Sequence, residues 1–171
     1  RITAEQLREW VDLARNSASA RNAQSLKYIL STDESFNAQI FELLGWAGYL
    51  TTWPGPEEGE RPSAYIVLLN DTLISGNYFC DDGIAMQSIL LGATEAGYGG
   101  CIIHSVNRNK LRQLLNLSEQ YDILYVIALG KPKETVVLEE MQNGEIKYWR
   151  DENQVHHVPK RALEEIILEV K

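Results

Sequence analysis

One domain of mixed helix and strand order is what this sequence predicts, and three observations carry that expectation. Its 171 residues suffice to bury a core. Apolar residues make up 44% and charged residues 23%, the balance of an ordinary soluble globular chain. Helical and strand-like apolar patterns then succeed one another without the steady βαβ alternation that builds a parallel sheet.

Each element has its own reason. Thr3 ahead of Glu5 and Gln6 resembles a capped helix start, and Leu7, Trp10, Val11 and Ala14 share one face of the helix so begun. The polar corner Ser19-Ala20-Arg21-Asn22-Ala23-Gln24 ends that helix. Residues 26–31 read as a buried strand, and 36–50 as a second helix with Phe41, Leu43 and Leu44 inward. The prolines and glycines of 53–62 forbid helix interior and ladder, so this run is expected to cross the surface of one core rather than to link domains.

Residues 64–69 are almost continuously apolar, the pattern of a central strand. The longest helix is expected over 81–96, with Met86, Ile89, Leu90, Ala93 and Ala96 at helical spacing and Gly97 as its stop. Its small residues Gly83, Ala85, Gly92, Ala93 and Ala96 permit close helix approach, which favours full burial, with a subunit interface as one setting. Strands over 101–104 and 123–129 bracket a short helix at 107–115. An outlying strand is expected at 145–149, and an amphipathic helix over 160–170 with Leu163, Ile166, Ile167 and Val170 aligned.

Composition excludes several classes. Sixteen basic against twenty-four acidic residues leave a formal charge of −8, so nucleic acid is not an expected partner. No window is apolar for long enough to span a membrane, and the first residues lack the apolar core of a signal peptide. Cys80 and Cys101 form neither a disulfide framework nor a zinc pattern; a reducing cytoplasm is the expected compartment, and both thiols are expected to be buried.

Three segments suit chemistry. In the corner, Asn22 and Gln24 each offer a neutral donor and acceptor, which fits the polar edge of a planar heterocycle; a plain turn accounts for them equally well. Gly97-Tyr98-Gly99-Gly100 leaves a helix and opens a strand, the reverse of a dinucleotide-binding turn, but the strand it opens ends at Ile103-His104-Ser105, where backbone N–H groups can face a ligand. Pro159 fits the first turn of a helix, which puts Lys160 and Arg161 at its positive end, where a phosphate would offset them; two solvated cations are the alternative.

Other candidates are weaker. His156 and His157 point oppositely on an extended segment, so no metal site is expected. Asp81-Asp82 reads as a helix cap. Trp46, Tyr49 and Trp53 suit a flat substrate or a core. No Ser/His/Asp set stands in a nucleophile context, and no catalytic side chain is assigned.

Together the three segments resemble the flavin-dependent nitroreductase family, in its small bacterial members. The family's corner, Ser-x-x-Asn-x-Gln-Pro, stands here as Ser19-Ala20-Arg21-Asn22-Ala23-Gln24-Ser25, and its long helix entering a Gly-rich turn resembles the run from Asp82-Gly83-Ile84 to Cys101-Ile102-Ile103-His104. Val158-Pro159-Lys160-Arg161 and the stretch from Pro56 to Pro62 are similar to the same members.

The resemblance implies one FMN-binding domain over 1–171, of α+β class, with a mostly antiparallel central sheet flanked by helices, paired as a homodimer with two FMN at its interface. It implies Ser19, Asn22 and Gln24 near the flavin, the backbone of Ile103, His104 and Ser105 at its N5 side, and Lys160 and Arg161 on its phosphate. The family's usual Arg-Ser-x-Arg opening, which also grips the phosphate, would lie ahead of Arg1, and Ala18 and Ser25 replace prolines common around the corner. The implied activity is NAD(P)H oxidation: NADH or NADPH reduces FMN, then an electron-poor small molecule such as a nitro compound or quinone is reduced in ping-pong turnover. A non-catalytic flavin- or ligand-binding module is the alternative; flavin chemistry such as dehalogenation or enone reduction is a third.

Overall fold

Strand β2 (Ala64–Asp71) is buried at every position, and the architecture is organised around it. In the computed structural model, which describes residues 1–171, β2 pairs antiparallel with β1 (Leu26–Ser31) on one side and β4 (Tyr121–Gly130) on the other. β3 (Gly99–Ile103) pairs antiparallel with β4, giving the order β1-β2-β4-β3. The expected α+β class and antiparallel central sheet are therefore observed.

Alternation along β2 builds two cores. Ala64, Ile66 and Leu68 pack with Leu7, Trp10 and Ala14 of α1 (Ala4–Arg15) and with Ala85, Met86, Ile89 and Ala93 of α3 (Asp81–Glu95). Tyr65, Val67 and Leu69 pack on the other face with Ile40 of α2 (Glu34–Phe41) and Leu111 of α4 (Arg108–Leu115). Side chains of a strand point alternately to opposite faces, so a continuously apolar run serves both layers.

Local signals set the helix starts. Thr3 and Gln6 form a reciprocal capping box on α1, and Asp33 and Asn107 accept from Phe36 N and Lys110 N. Gly97, at φ 78°, follows the end of α3 as expected. The approach that small residues on α3 permit is to α1 of the same chain: a Cβ at Gly92 would lie 2.4 Å from Leu13 Cδ1. α3 is not fully buried, because Leu91 on its far side is 61% exposed.

Several expectations are corrected. α1 stops at Arg15, ahead of the corner, with Asn16 donating back to Asp12. β1 is an edge strand, half-buried apart from exposed Lys27 and buried Ser31. α2 ends at Phe41 because the following backbone is captured elsewhere: Asn107 N donates to Leu43 O, Leu44 bridges Val106, and Gly45 N donates to Ser105 O. Both cysteines are exposed, Cys101 on an edge strand and Cys80 just ahead of α3.

The chain forms two compact units, Arg1–Trp46 with Pro56–Lys131, and Ala47–Gly55 with Pro132–Lys171. The second holds a three-stranded sheet, β5 (Val136–Glu140), β7 (His156–Lys160) and β6 (Trp149–Arg150), in the order β5-β7-β6. The single strand expected at 145–149 is thus β6, shifted and paired with β7 in a sheet completed by β5, two strands that the sequence did not reveal. Pro159 lies in β7 and not at a helix start. His156 N donates to Thr135 O, so alternation turns the missing N–H of Pro159 away from β5, and β6 ends before reaching it. The expected helix over 160–170 is one turn, α5 (Leu163–Ile166). Leu163, Ile166, Leu168 and Val170 are exposed, and a short helix with no surface to pack on does not propagate. No helix is long and apolar enough to cross a membrane.

Candidate functional site

The corner that leads into β1 is strained. Arg21, Asn22 and Gln24 sit at φ 55°, 54° and 54°, a left-handed region that non-glycine residues seldom enter. Asp81, buried at the first position of α3, supplies the restraint: it accepts from Ser19 Oγ at 2.7 Å and from Ala20 N at 2.9 Å. Ser19 Oγ in turn accepts from Gln24 N at 3.0 Å, and Gln24 Nε2 donates to Asn22 O at 3.2 Å. Arg21 lies 5.6 Å over the ring of Phe79.

A carboxylate suits a helix N-terminus electrostatically, yet Asp81 is spent on the corner. Its charge reaches Tyr28 on β1, whose phenol is pushed up to about 12, first by burial and then by Asp81. Asn22 and Gln24 are left exposed, while the Ser19 hydroxyl is committed to the scaffold.

The end of β3 is held from two sides. Ile103 is buried and pairs with Val126. Beyond it, Ser105 O accepts from Gly45 N at 2.7 Å, an approach close enough that a Cβ on Gly45 would meet Ser105 Oγ at 2.4 Å. The exposed ring of His104 packs on Tyr125 at 5.4 Å. The β2–β4 register shifts here, with Leu68 opposite Tyr125 and Leu69 opposite Ile123, which leaves Leu124 as a bulge. Arg108 satisfies the carbonyls the bulge displaces, donating to Ile123 O at 2.9 Å and Leu124 O at 2.8 Å. Tyr78, nearby, has its phenol raised by desolvation and by Asp82, Tyr125 and Asp122, against Arg108.

The antiparallel order runs the start of β1 and the end of β3 toward the same end of the sheet but on opposite edges, with Ile103 level, through Val126 and Val67, with Ile29 rather than Leu26. Three strand spacings, about 14 Å, separate the two strands across the sheet.

The second unit carries the basic pair. Lys160 closes β7 opposite Glu140, exposed, its carbonyl accepting from Met141 N. Arg161 comes next and pairs with Glu165. Neither sits in the first turn of a helix, so the macrodipole argument for this pair does not apply. His156 and His157 point to opposite faces as expected, one against Tyr148 and the other against Trp149. Trp46 packs on Phe41, Tyr49 on Tyr148, and Trp53 under Arg150.

Three residues have roles in these segments that the sequence did not assign them: Asp81, expected as a cap, is a restraint, Gly45 is a close-approach position, and Arg108 is the partner of a bulge. Only Asp81 leaves a trace, as half of an acidic pair opening a helix.

Residues 79–131 match the model of the nitroreductase family. YodC of Bacillus subtilis (strain 168), whose name assigns it provisionally to the NAD(P)H nitroreductases, is 26% identical over 160 residues, covering 76% of this chain and 79% of its own length. A nitroreductase family protein from Streptococcus pneumoniae TIGR4 superposes with a TM-score of 0.67 at 15% identity, over 99% of this chain and 90% of that one. An FMN-dependent nitroreductase from Clostridium difficile R20291 does so at 0.62 and 19% identity, over 84% and 83%. The two superpositions speak to the fold.

Proposed function

We propose that the chain is a member of the nitroreductase family, whose model residues 79–131 match, and that it is an FMN-dependent NAD(P)H oxidoreductase acting on an electron-poor small molecule such as a nitro compound or quinone. The observation that carries the reading is the strained corner. Backbone strain persists where surrounding structure over-determines it, commonly at ligand sites, and here a buried carboxylate maintains it so that two neutral carboxamides stand exposed. Those groups fit the pyrimidine edge of a flavin in kind, as donors and acceptors without charge. A solved neighbour of the same fold is named as FMN-dependent.

Bound FMN would supply the hydride chemistry. Asn22 and Gln24 would hold the ring's polar edge, and the backbone of Ile103, His104 and Ser105 its N5 side. Lys160 would take the phosphate, joined by Arg161 once Glu165 is displaced. Because the corner and the β3 end occupy opposite sheet edges, the reading includes a homodimer in which one ring draws on both copies, with 1–171 acting as one FMN-binding domain.

The test is a spectrum. Purified protein should be yellow, with bands of oxidised flavin that bleach on adding NADH or NADPH and return with a nitroaromatic, a quinone or an enone, compared side by side. Colourless protein that takes up no FMN overturns the proposal; flavin bound but never reduced would point to a binding module on the same scaffold.

A further inference from the structure

In the small sheet, one side chain touches groups from every strand. The ring of His157 on β7 stacks on Trp149 of β6, with centroids 4.1 Å apart and planes 10° from parallel. His157 Nδ1 lies 3.1 Å from Glu139 Oε2 on β5, and Trp149 Nε1 donates to the other oxygen of that carboxylate at 3.0 Å. His157 Nε2 faces Asp151 Oδ2 at 3.6 Å, just past the end of β6. Asp151 is held in turn: its Oδ1 accepts from Val155 N and Asn153 N, and these bonds, with His157, keep its carboxyl below the usual range against some desolvation.

We propose that His157 is a positioning residue, whose protonated ring clasps Glu139 and Asp151 and so registers β7 with Lys160 and Arg161 for the FMN phosphate; this rests on the flavin reading above. A neutral imidazole has one N–H and can serve Glu139 alone, whereas the charge of an imidazolium also draws Asp151, which faces Nε2 across 3.6 Å without a hydrogen bond. Register along β7 carries the effect, since Glu139 lies opposite Pro159 and Glu140 opposite Lys160, three residues from the clasp. No residue of β5, β6 or β7 is fully buried, so little apolar burial competes with these contacts. The remaining charges nearby are accounted for. Glu145 and Lys147 line one recess with Glu139, Trp149 and Pro159, while Arg150 pairs with Glu134 and shares with His156 the opposite face.

The test uses the full chain in two stages. In FMN-free protein, Trp149 emission is isolated by subtracting the Trp149→Phe variant and followed from pH 5 to 8.5. A stacked imidazolium quenches indole, so emission should rise as the ring loses its proton, and His157→Gln should be flat. No pH-dependent Trp149 component overturns the clasp. The Kd for FMN is then measured at pH 5.5 and 8 for wild type, His157→Gln and His157→Lys. Wild type should lose at least threefold more affinity at the higher pH than His157→Gln, whose own change reports ionisation of the FMN phosphate. His157→Lys, charged throughout, should track the Gln variant in pH dependence while binding more tightly, and it stands in if Gln does not fold. Equal pH ratios for wild type and both variants overturn the positioning role. If Trp149 titrates yet no protein takes FMN at either pH, the flavin reading fails and the role toward phosphate with it, while the clasp stands.

Discussion

The four-stranded sheet buries all eight residues of β2, whereas the three-stranded sheet buries none of its own. One is sandwiched by helices on both faces; the other is laced by ring stacking, ion pairs and side-chain hydrogen bonds, such as Trp149 on His157 and Arg150 on Glu134. Apolar burial is non-directional and insensitive to pH, so the first sheet should tolerate changes of charge and punish changes of volume. Directional polar contacts behave the opposite way. The two sheets therefore predict different responses to mutation and to acid.

The sharpest way to break this contrast is Ile127→Ala. Ile127 is fully buried at the centre of β4, and its truncation should cost about 2–5 kcal/mol through lost transfer energy and a residual cavity. Urea unfolding measures it; a loss below about 1 kcal/mol would mean that the large sheet is not held by burial as described.

Asp81→Ala probes a polar contact placed inside the large unit. It orphans Ala20 N and Ser19 Oγ at a part-buried corner and should cost about 1–3 kcal/mol. Removing the charge should also bring the Tyr28 phenol down from about 12, since Asp81 is the second cause of its rise after burial. Spectrophotometric titration checks this, and an unmoved Tyr28 would separate the two groups.

Gly45→Ala tests close approach. The added carbon would lie 2.4 Å from Ser105 Oγ and 3.0 Å from Ser105 Cβ, so the cost should be about 1–3 kcal/mol. Ser105→Gly on the same background should restore most of it; without such restoration the collision is not the cause.

The smallest effect is expected from acid on the small sheet. The Asp151 carboxyl is held below its unfolded value, so its contribution is present above the ordinary carboxylate range and is lost as pH falls through the depressed folded value. Trp149 emission followed below pH 4 should show a transition that Asp151→Asn lacks, while the circular dichroism of the large unit stays unchanged.

Legibility in the sequence divides along the same line. β2, α1, α3 and α4 were readable because amphipathic spacing, capping residues and a continuously apolar run are local signals, and Thr3, Asn107 and Gly97 act within a few residues of themselves. The exposed carboxamides of Asn22 and Gln24 were readable as a corner, but not the buried carboxylate of Asp81, 61 residues beyond Ala20, that restrains it. The tail misled for a physical reason: its apolar stripe states what a helix would bury without stating whether a surface is there to receive it.

Local chemistry by itself determined where chain segments bend, cap and turn apolar, hence the mixed order of helices and strands and the central place of β2. Only the tertiary structure decided the partners: that β1 and β3 take opposite edges, that Gly45 and Ser105 cut α2 short, and that Pro159 lies within a strand rather than opening a helix. Pairing between remote segments depends on which of many compatible surfaces bury together with least unsatisfied backbone, a property of the whole chain that no local window contains.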